Sequence, residues 1–243
     1  MPFKAISLFI VQFILYCLIN SSFAQKKDCV SKHPHSPSSA ISFFNLHCID
    51  SLQQGKTIDS LDLIYGKNKK IPTKYRSAIL IALSYYPELI QTPIDFKECT
   101  IKTTLNARPT ISSLCFKNKS KRNYVVRINN SQKEGMITID EVPFNARIGI
   151  FAHEFSHFVD YQNRTFGGVL ERLWAYTSKK RKANYEKEID SMTVARGLKW
   201  QMYDWSYYAI FLSDASESYK SFKKSTYLKP KEILNQIDEE VRE

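Results

Sequence analysis

The rhythm of hydrophobic and polar positions changes several times along the chain. Residues Ala5 to Ile19 are almost wholly apolar, and Ser31 to Ser39 are Ser-, Pro- and His-rich and read as irregular. Residues 40 to 65 and 73 to 86 then repeat apolar positions at helical spacing, with Ile79, Leu80, Leu83 and Tyr86 on one face. Pro87 and Pro93 close that stretch. Next, Tyr124, Val126 and Ile128 alternate with Val125, Arg127 and Asn129, the period of a strand. Met136 to Val142 reads as a second strand; Asn129-Asn130-Ser131 and Gly135 suit a turn between the two, which predicts a hairpin ended by Pro143. From Asn145, an N-cap candidate, the pattern is helical over 145–162, 169–182, 184–196, 198–212 and 230–242. Gly167-Gly168 separates the first two helices, and Gly197 suits a C-cap. Strands followed by helices predict an α+β fold, a small mixed or antiparallel sheet leading into a mainly helical C-terminal part.

The first apolar run changes what the chain can be. Lys4 precedes it and Ser22-Phe23-Ala24 follows, the pattern of a secretory signal peptide cut before Gln25. An uncleaved anchor is the rival, but the run is short against the ~20 residues of a membrane span. The expectation is an exported protein, secreted or periplasmic, with residues 25–243 as one domain and no membrane span in the mature chain. In an oxidising compartment the remaining cysteines, Cys29, Cys48, Cys99 and Cys115, suggest two disulfides. Local loop closure favours Cys29–Cys48 and Cys99–Cys115; the lack of a C-x-x-C pair argues against a zinc site built from all four.

The formal charge is +11, and +10 once Lys4 is removed. Export argues against a nucleic-acid partner. The densest basic run, Lys179-Lys180-Arg181-Lys182, has no interleaved aromatics and reads as a solvated face.

The candidate chemistry lies in IGIFAHEFSHFVDY, residues 148 to 161. His153 and His157 stand at i and i+4 on the first C-terminal helix, so both imidazoles can converge on one metal ion. Glu154, one step round, can move a proton to and from a reacting water without facing the metal squarely. This is the physical content of H-E-x-x-H. Ile148, Phe151, Phe155 and Phe158 or Val159 supply an apolar backing. Gly149 is a blemish in a helix interior, costing about 1 kcal/mol against Ala unless a close backbone contact requires it.

Only five histidines occur, and the other three, His33, His35 and His47, lie far upstream. Asn163 stands six residues after His157, so the third histidine of the metzincin pattern is absent. By elimination the third ligand is a carboxylate. Glu186 and Asp190 share a helix face four residues apart, so one can bind metal while the other accepts the free N–H of a ligating histidine. Glu188 competes for the role but lies about 200° from Glu186 around the helix, so both cannot serve.

Over roughly residues 136 to 197 the chain resembles the gluzincins, the thermolysin-like and related zinc peptidases, which join H-E-x-x-H to a downstream E-x-x-x-D. That resemblance implies a zincin-like fold, His153, His157 and Glu186 as zinc ligands, Asp190 as the partner of a ligating histidine, and Glu154 as general base. It implies hydrolysis of a peptide or protein substrate. The chain departs from the pattern in having no histidine after His157 to stabilise an oxyanion; Arg196, Tyr203, Tyr207 and Tyr208 are the candidates. Such peptidases hold extended substrate along an edge strand, here expected to be Met136 to Val142.

Overall fold

Phe96, in the strand Ile94–Cys99, faces the rings of Phe151 and Phe155 edge-on at 6.3 and 6.2 Å in the core. A computed structural model describes residues 55–131 and 135–240. The expected signal peptide, the Ser31–Ser39 stretch, Cys29, Cys48 and the start of the first helical segment lie outside the described residues.

The chain runs α1 (Gly55–Tyr65), β1 (Lys69–Lys70), α2 (Arg76–Ser84), β2 (Ile94–Cys99), β3 (Leu105–Pro109), α3 (Ile111–Phe116) and β4 (Tyr124–Asn129). Then come α4 (Phe144–Gln162), α5 (Phe166–Ala175), α6 (Lys179–Thr193), α7 (Lys199–Tyr207), α8 (Glu217–Thr226) and α9 (Pro230–Glu240). The sheet has four strands in the order β1-β2-β4-β3. β1 and β4 run parallel to β2, and β3 runs antiparallel to β4 on the outer edge. The architecture is α+β, with a small mixed sheet and a mostly helical C-terminal part. Among the described residues, no helix is long and apolar enough to cross a membrane.

α4 is the central element. Phe151, Phe155 and Phe158 form one face, packed on Tyr75, Tyr86, Phe96 and Tyr124. The histidine face lies roughly 200° round the helix from Phe151, against α6 and α7. Both faces are covered, so buried residues run from Asn145 through Tyr161 with only Arg147 interrupting. Gly149 is required by this packing. A Cβ there would fall on the Gln201 carbonyl, and 3.0 Å from the Met202 nitrogen, where α7 crosses α4 backbone to backbone. The helix begins at Phe144 behind Pro143, and Asn145 is no cap; its amide donates to Asp204 Oδ2 at 2.6 Å instead. Gly197 adopts φ +86°, a conformation open to glycine, and turns the chain from α6 into α7.

Besides the Asn145 cap, the expected helix 169–182 is broken, ending at Ala175 before a new helix starts at Lys179, and three further expectations fail. Met136–Val142 is a turn-rich segment and forms no strand or hairpin, with Glu141 N bonded to Thr138 O and Val142 N to Ile139 O. Its apolar residues Ile137, Ile139 and Val142 are buried at 0–1% exposure, so the alternation reflected anchoring of a coiled segment into the core. The partners of β4 are β2 and β3, and an edge-strand role for Met136–Val142 falls with the strand. Second, Cys99 and Cys115 are free thiols. Cys99 pairs with Asn129 at one end of β4, whereas Pro109, leading into the helix of Cys115, pairs with Tyr124 at the other. Five residues of strand span roughly 17 Å, far beyond disulfide reach. Third, Gly167 and Gly168 lie in the first turn of α5, capped by Thr165, whose hydroxyl accepts from Gly168 N at 3.2 Å.

Candidate metal centre

α4 and α6 pack side by side and bring His153, His157 and Glu186 together, each at 3–5% exposure. One ligand atom from each lies within 4.8 Å of the others. Glu186 Oε2 is 3.2 Å from His153 Nε2 and 3.5 Å from His157 Nε2. Three ligands at the corners of a zinc tetrahedron, with bonds of about 2.1 Å, would stand ~3.4 Å apart. The two ring planes meet at 85°, with centroids 4.9 Å apart. Glu186 Oε2 is fully buried and makes no hydrogen bond. A buried carboxylate oxygen aimed between two imidazole nitrogens and otherwise unsatisfied suits a cation, so these three residues can bind a metal ion.

Each ligand is held from behind. His153 Nδ1 donates to Asp190 Oδ1 at 2.8 Å, and Asp190 Oδ2 accepts from Leu228 N at 2.8 Å. His157 Nδ1 meets the hydroxyl of Tyr185 at 3.1 Å; that hydroxyl donates to Asp160 Oδ2 at 3.2 Å. Arg164 and Arg172 in turn hold Asp160 with bonds of 2.9 to 3.2 Å. Glu186 Oε1 accepts from Tyr176 at 2.9 Å, which leaves only Oε2 facing the histidines. These outer bonds keep Nε2 of both imidazoles turned inward.

Charge is redistributed accordingly. Burial opposes a charged imidazole at His153, but the bond to Asp190 and the adjacent Glu186 carboxylate outweigh it and push the pKa up to about 10. Burial also works against charge on Glu186, yet the two histidines hold its carboxyl well below the usual range. Burial raises the pKa of Glu154, partly countered by His153 and His157. Burial raises Asp160 as well, but Arg164 and Arg172 prevail and lower it.

Glu154 is 6% exposed and, among the described residues, has no hydrogen-bond or ion-pair partner. Glu188 turns away from the cluster, half exposed and ion-paired to Arg172. The residues considered for an oxyanion lie elsewhere. Arg196 bonds to Tyr85 O and Glu88, while Tyr203 and Tyr207 stack on each other along α7. The aromatic residue set against His153 is Tyr227, at 5.7 Å between centroids. Sequence reading missed Tyr176, Tyr185, Asp160 and Tyr227. Asp160 stood three residues after His157 on the same helix, so helical proximity was a signal for that one, whereas Tyr185 reaches His157 from another helix.

No family model, curated protein or solved structure matches this chain.

Proposed function

We propose that the protein is an exported, zinc-dependent peptidase of gluzincin type with a zincin-like fold. The observation that carries the reading is the convergence of His153 Nε2, His157 Nε2 and the unbonded Glu186 Oε2 beside a carboxylate, Glu154, that has no other partner. Two nitrogens and one oxygen suit zinc, and three protein ligands rather than four leave a position open for chemistry. Zinc held there would lower the pKa of water and polarise a carbonyl.

The chain's own residues supply the rest. Glu154 takes a proton from the attacking water and returns it to the leaving amine; its burial, which raises its affinity for a proton, suits both steps. Asp190, Tyr185 and Tyr176 fix the three ligand groups in orientation. The free outer edge of the sheet nearest α4 belongs to β3, a candidate rail for an extended peptide. Export rests on the pattern of residues 1–24.

The test has two arms. Metal analysis of purified protein should give about one zinc per chain. Glu154→Gln should keep that zinc and lose peptide cleavage by about a hundredfold or more. Zinc-free protein, or cleavage retained in the variant, refutes the mechanism. A second reading, a zinc protein without peptidase activity, draws on the 3–5% exposure of the ligands, as deep as a structural site. Zinc retained with no turnover on a peptide library would favour it. Against it stands Glu154, which a structural site does not need.

A further inference from the structure

Lys223 is a buried lysine that forms no direct ion pair among the described residues. It is 6% exposed, and among the described residues its ammonium makes no ion pair and no hydrogen bond to an oxygen. Lysines are almost never buried unless paired. Its Nζ lies over three rings instead, 4.2 Å from Tyr227, 5.0 Å from Trp205 and 5.5 Å from Tyr219. Lys182, on α6, repeats the arrangement in half-buried form, 4.6 Å over Phe222 and 5.5 Å over Tyr176, again with no carboxylate in ion-pair range.

Both cations sit one aromatic ring away from a metal-ligating residue. Tyr227 packs against His153, and Tyr176 donates to Glu186. Lys223 Nζ is 4.2 Å from the Tyr227 ring centroid, which is itself 5.7 Å from that of His153, so its charge is close enough to act on the centre. The charges interact: Lys223 acts on Glu154, and Lys182, whose pKa burial lowers, feels both Glu186 and Lys223. A water-sized cavity lined by Lys223, Tyr227, Trp205 and Asp190 adjoins this corner. Asp190 lines the same cavity but makes no ion pair with the lysine; its oxygens accept from His153 and from Leu228 N. Once a divalent ion is counted, it and the two lysines outweigh Glu154, Glu186 and Asp190 by one formal charge, which leaves a positive field for a ligand to neutralise.

We propose that Lys223, assisted by Lys182, forms a carboxylate-binding subsite beside the candidate metal centre, so that the site takes peptides that present a carboxylate there. The inference rests on the metallopeptidase reading for its substrate class. The carboxylate comes either from an acidic side chain or from a free peptide C-terminus.

The experiment uses the zinc-loaded full chain in its exported form, carrying Glu154→Gln so that peptides bind without being cut. Calorimetry compares end-blocked peptides that differ only in Glu against Gln, and one neutral peptide as free acid against amide. One of the two carboxylate forms should bind about tenfold tighter than its neutral partner, which identifies the source. Adding Lys223→Met should bring that ratio to within twofold, and Lys223→Arg should keep it. If Lys223→Met does not fold, the half-buried Lys182→Met should reduce the ratio about threefold. Equal affinity for both members of each pair in the starting protein, or a ratio unchanged by both Lys→Met variants, overturns the subsite. Zinc content is measured on every sample. A chain that holds zinc but shows no carboxylate preference sinks the subsite alone, while one that takes up no zinc sinks the metallopeptidase reading as well.

Discussion

Replacing Asp190 by asparagine removes one acceptor and no volume, and the structure says which bond must break. Asp190 is 2% exposed and accepts twice, from His153 Nδ1 at 2.8 Å and from the Leu228 amide at 2.8 Å. Both partners are donors when His153 offers Nε2 to a metal. An asparagine has one acceptor oxygen and one NH2. If the oxygen faces His153, the NH2 confronts the Leu228 N–H, and a buried donor is left unsatisfied at about 1–3 kcal/mol. If it faces Leu228, the NH2 favours the tautomer with the proton on Nε2, which blocks the ligand atom. The first arrangement lowers stability and the second lowers metal affinity, so the variant cannot escape both. A stability loss of that size in a domain of about 200 residues lowers Tm by roughly 2–10 °C, and loss of an orienting partner costs about 10–100-fold in zinc affinity. Zinc Kd by chelator competition, with thermal unfolding of metal-free protein, reads both. Asp190→Asn with Kd within twofold of wild type and Tm within a degree or so would refute the double-acceptor account.

Three further outcomes follow from the same geometry. Tyr185→Phe removes the hydroxyl between His157 and Asp160 and should weaken zinc binding by about tenfold or more by chelator competition, with little change in helix content. Gly149→Ala gains at most about 1 kcal/mol of helix propensity, but its methyl meets the Gln201 carbonyl, so denaturant unfolding should show a net loss of about 1–3 kcal/mol. Zinc affinity should rise with pH, because the His153 pKa of about 10 in the metal-free protein obliges zinc to displace a proton across the neutral range. The same shift has the opposite sign for metal-free stability. The raised pKa contributes fully below the ordinary imidazole value of ~6.5 and is lost as pH climbs toward 10. Calorimetry in buffers of different ionisation enthalpy counts the proton; zinc binding with no proton release at pH 7 would contradict the bond set at His153.

The helix carrying the metal motif was legible because local physics and tertiary packing agree there. Apolar positions at helical spacing, an i, i+4 histidine pair and a glycine with a reason all reappear in α4 as read. Glu186 and Asp190 were legible as a shared face for the same reason, and α6 brings that face to the histidines. The sheet was not. β2 alternates only over Ile94 to Lys97 before Glu98 breaks the pattern, and β3 only over the five residues Leu105 to Pro109, runs too short to stand out in the sequence. Their strand character comes from pairing with β4, a nonlocal contact. Conversely, Ile137 and Ile139 alternate with Thr138 and Asp140 like a strand yet lie in a turn-rich segment, because burial of side chains can be met without a ladder.

The candidate site divides along the same line. Its ligands come in pairs spaced by one helical turn, and a single helix suffices to relate the members of each pair. The groups that make those ligands usable come from elsewhere: Tyr176 lies just beyond α5, Leu228 just beyond α8, and Asp160 reaches His157 only through Tyr185 on another helix. Lys223 and Tyr227 belong to α8 and its exit, a helix the periodicity did not reveal. A search for a ligand triad therefore succeeds on spacing, whereas the hydrogen-bonded frame and the charged wall around it depend on how five helices pack. The consequence for engineering is specific. Grafting the sequence from Ile148 to Asp190 alone would carry His153, His157, Glu186 and the Tyr185–Asp160 bond, yet it would omit the Leu228 amide that holds Asp190 and the Lys223 charge beside Glu154. Such a graft should bind zinc more weakly than the parent chain, since one of its two histidines would be oriented by a carboxylate that is itself unanchored.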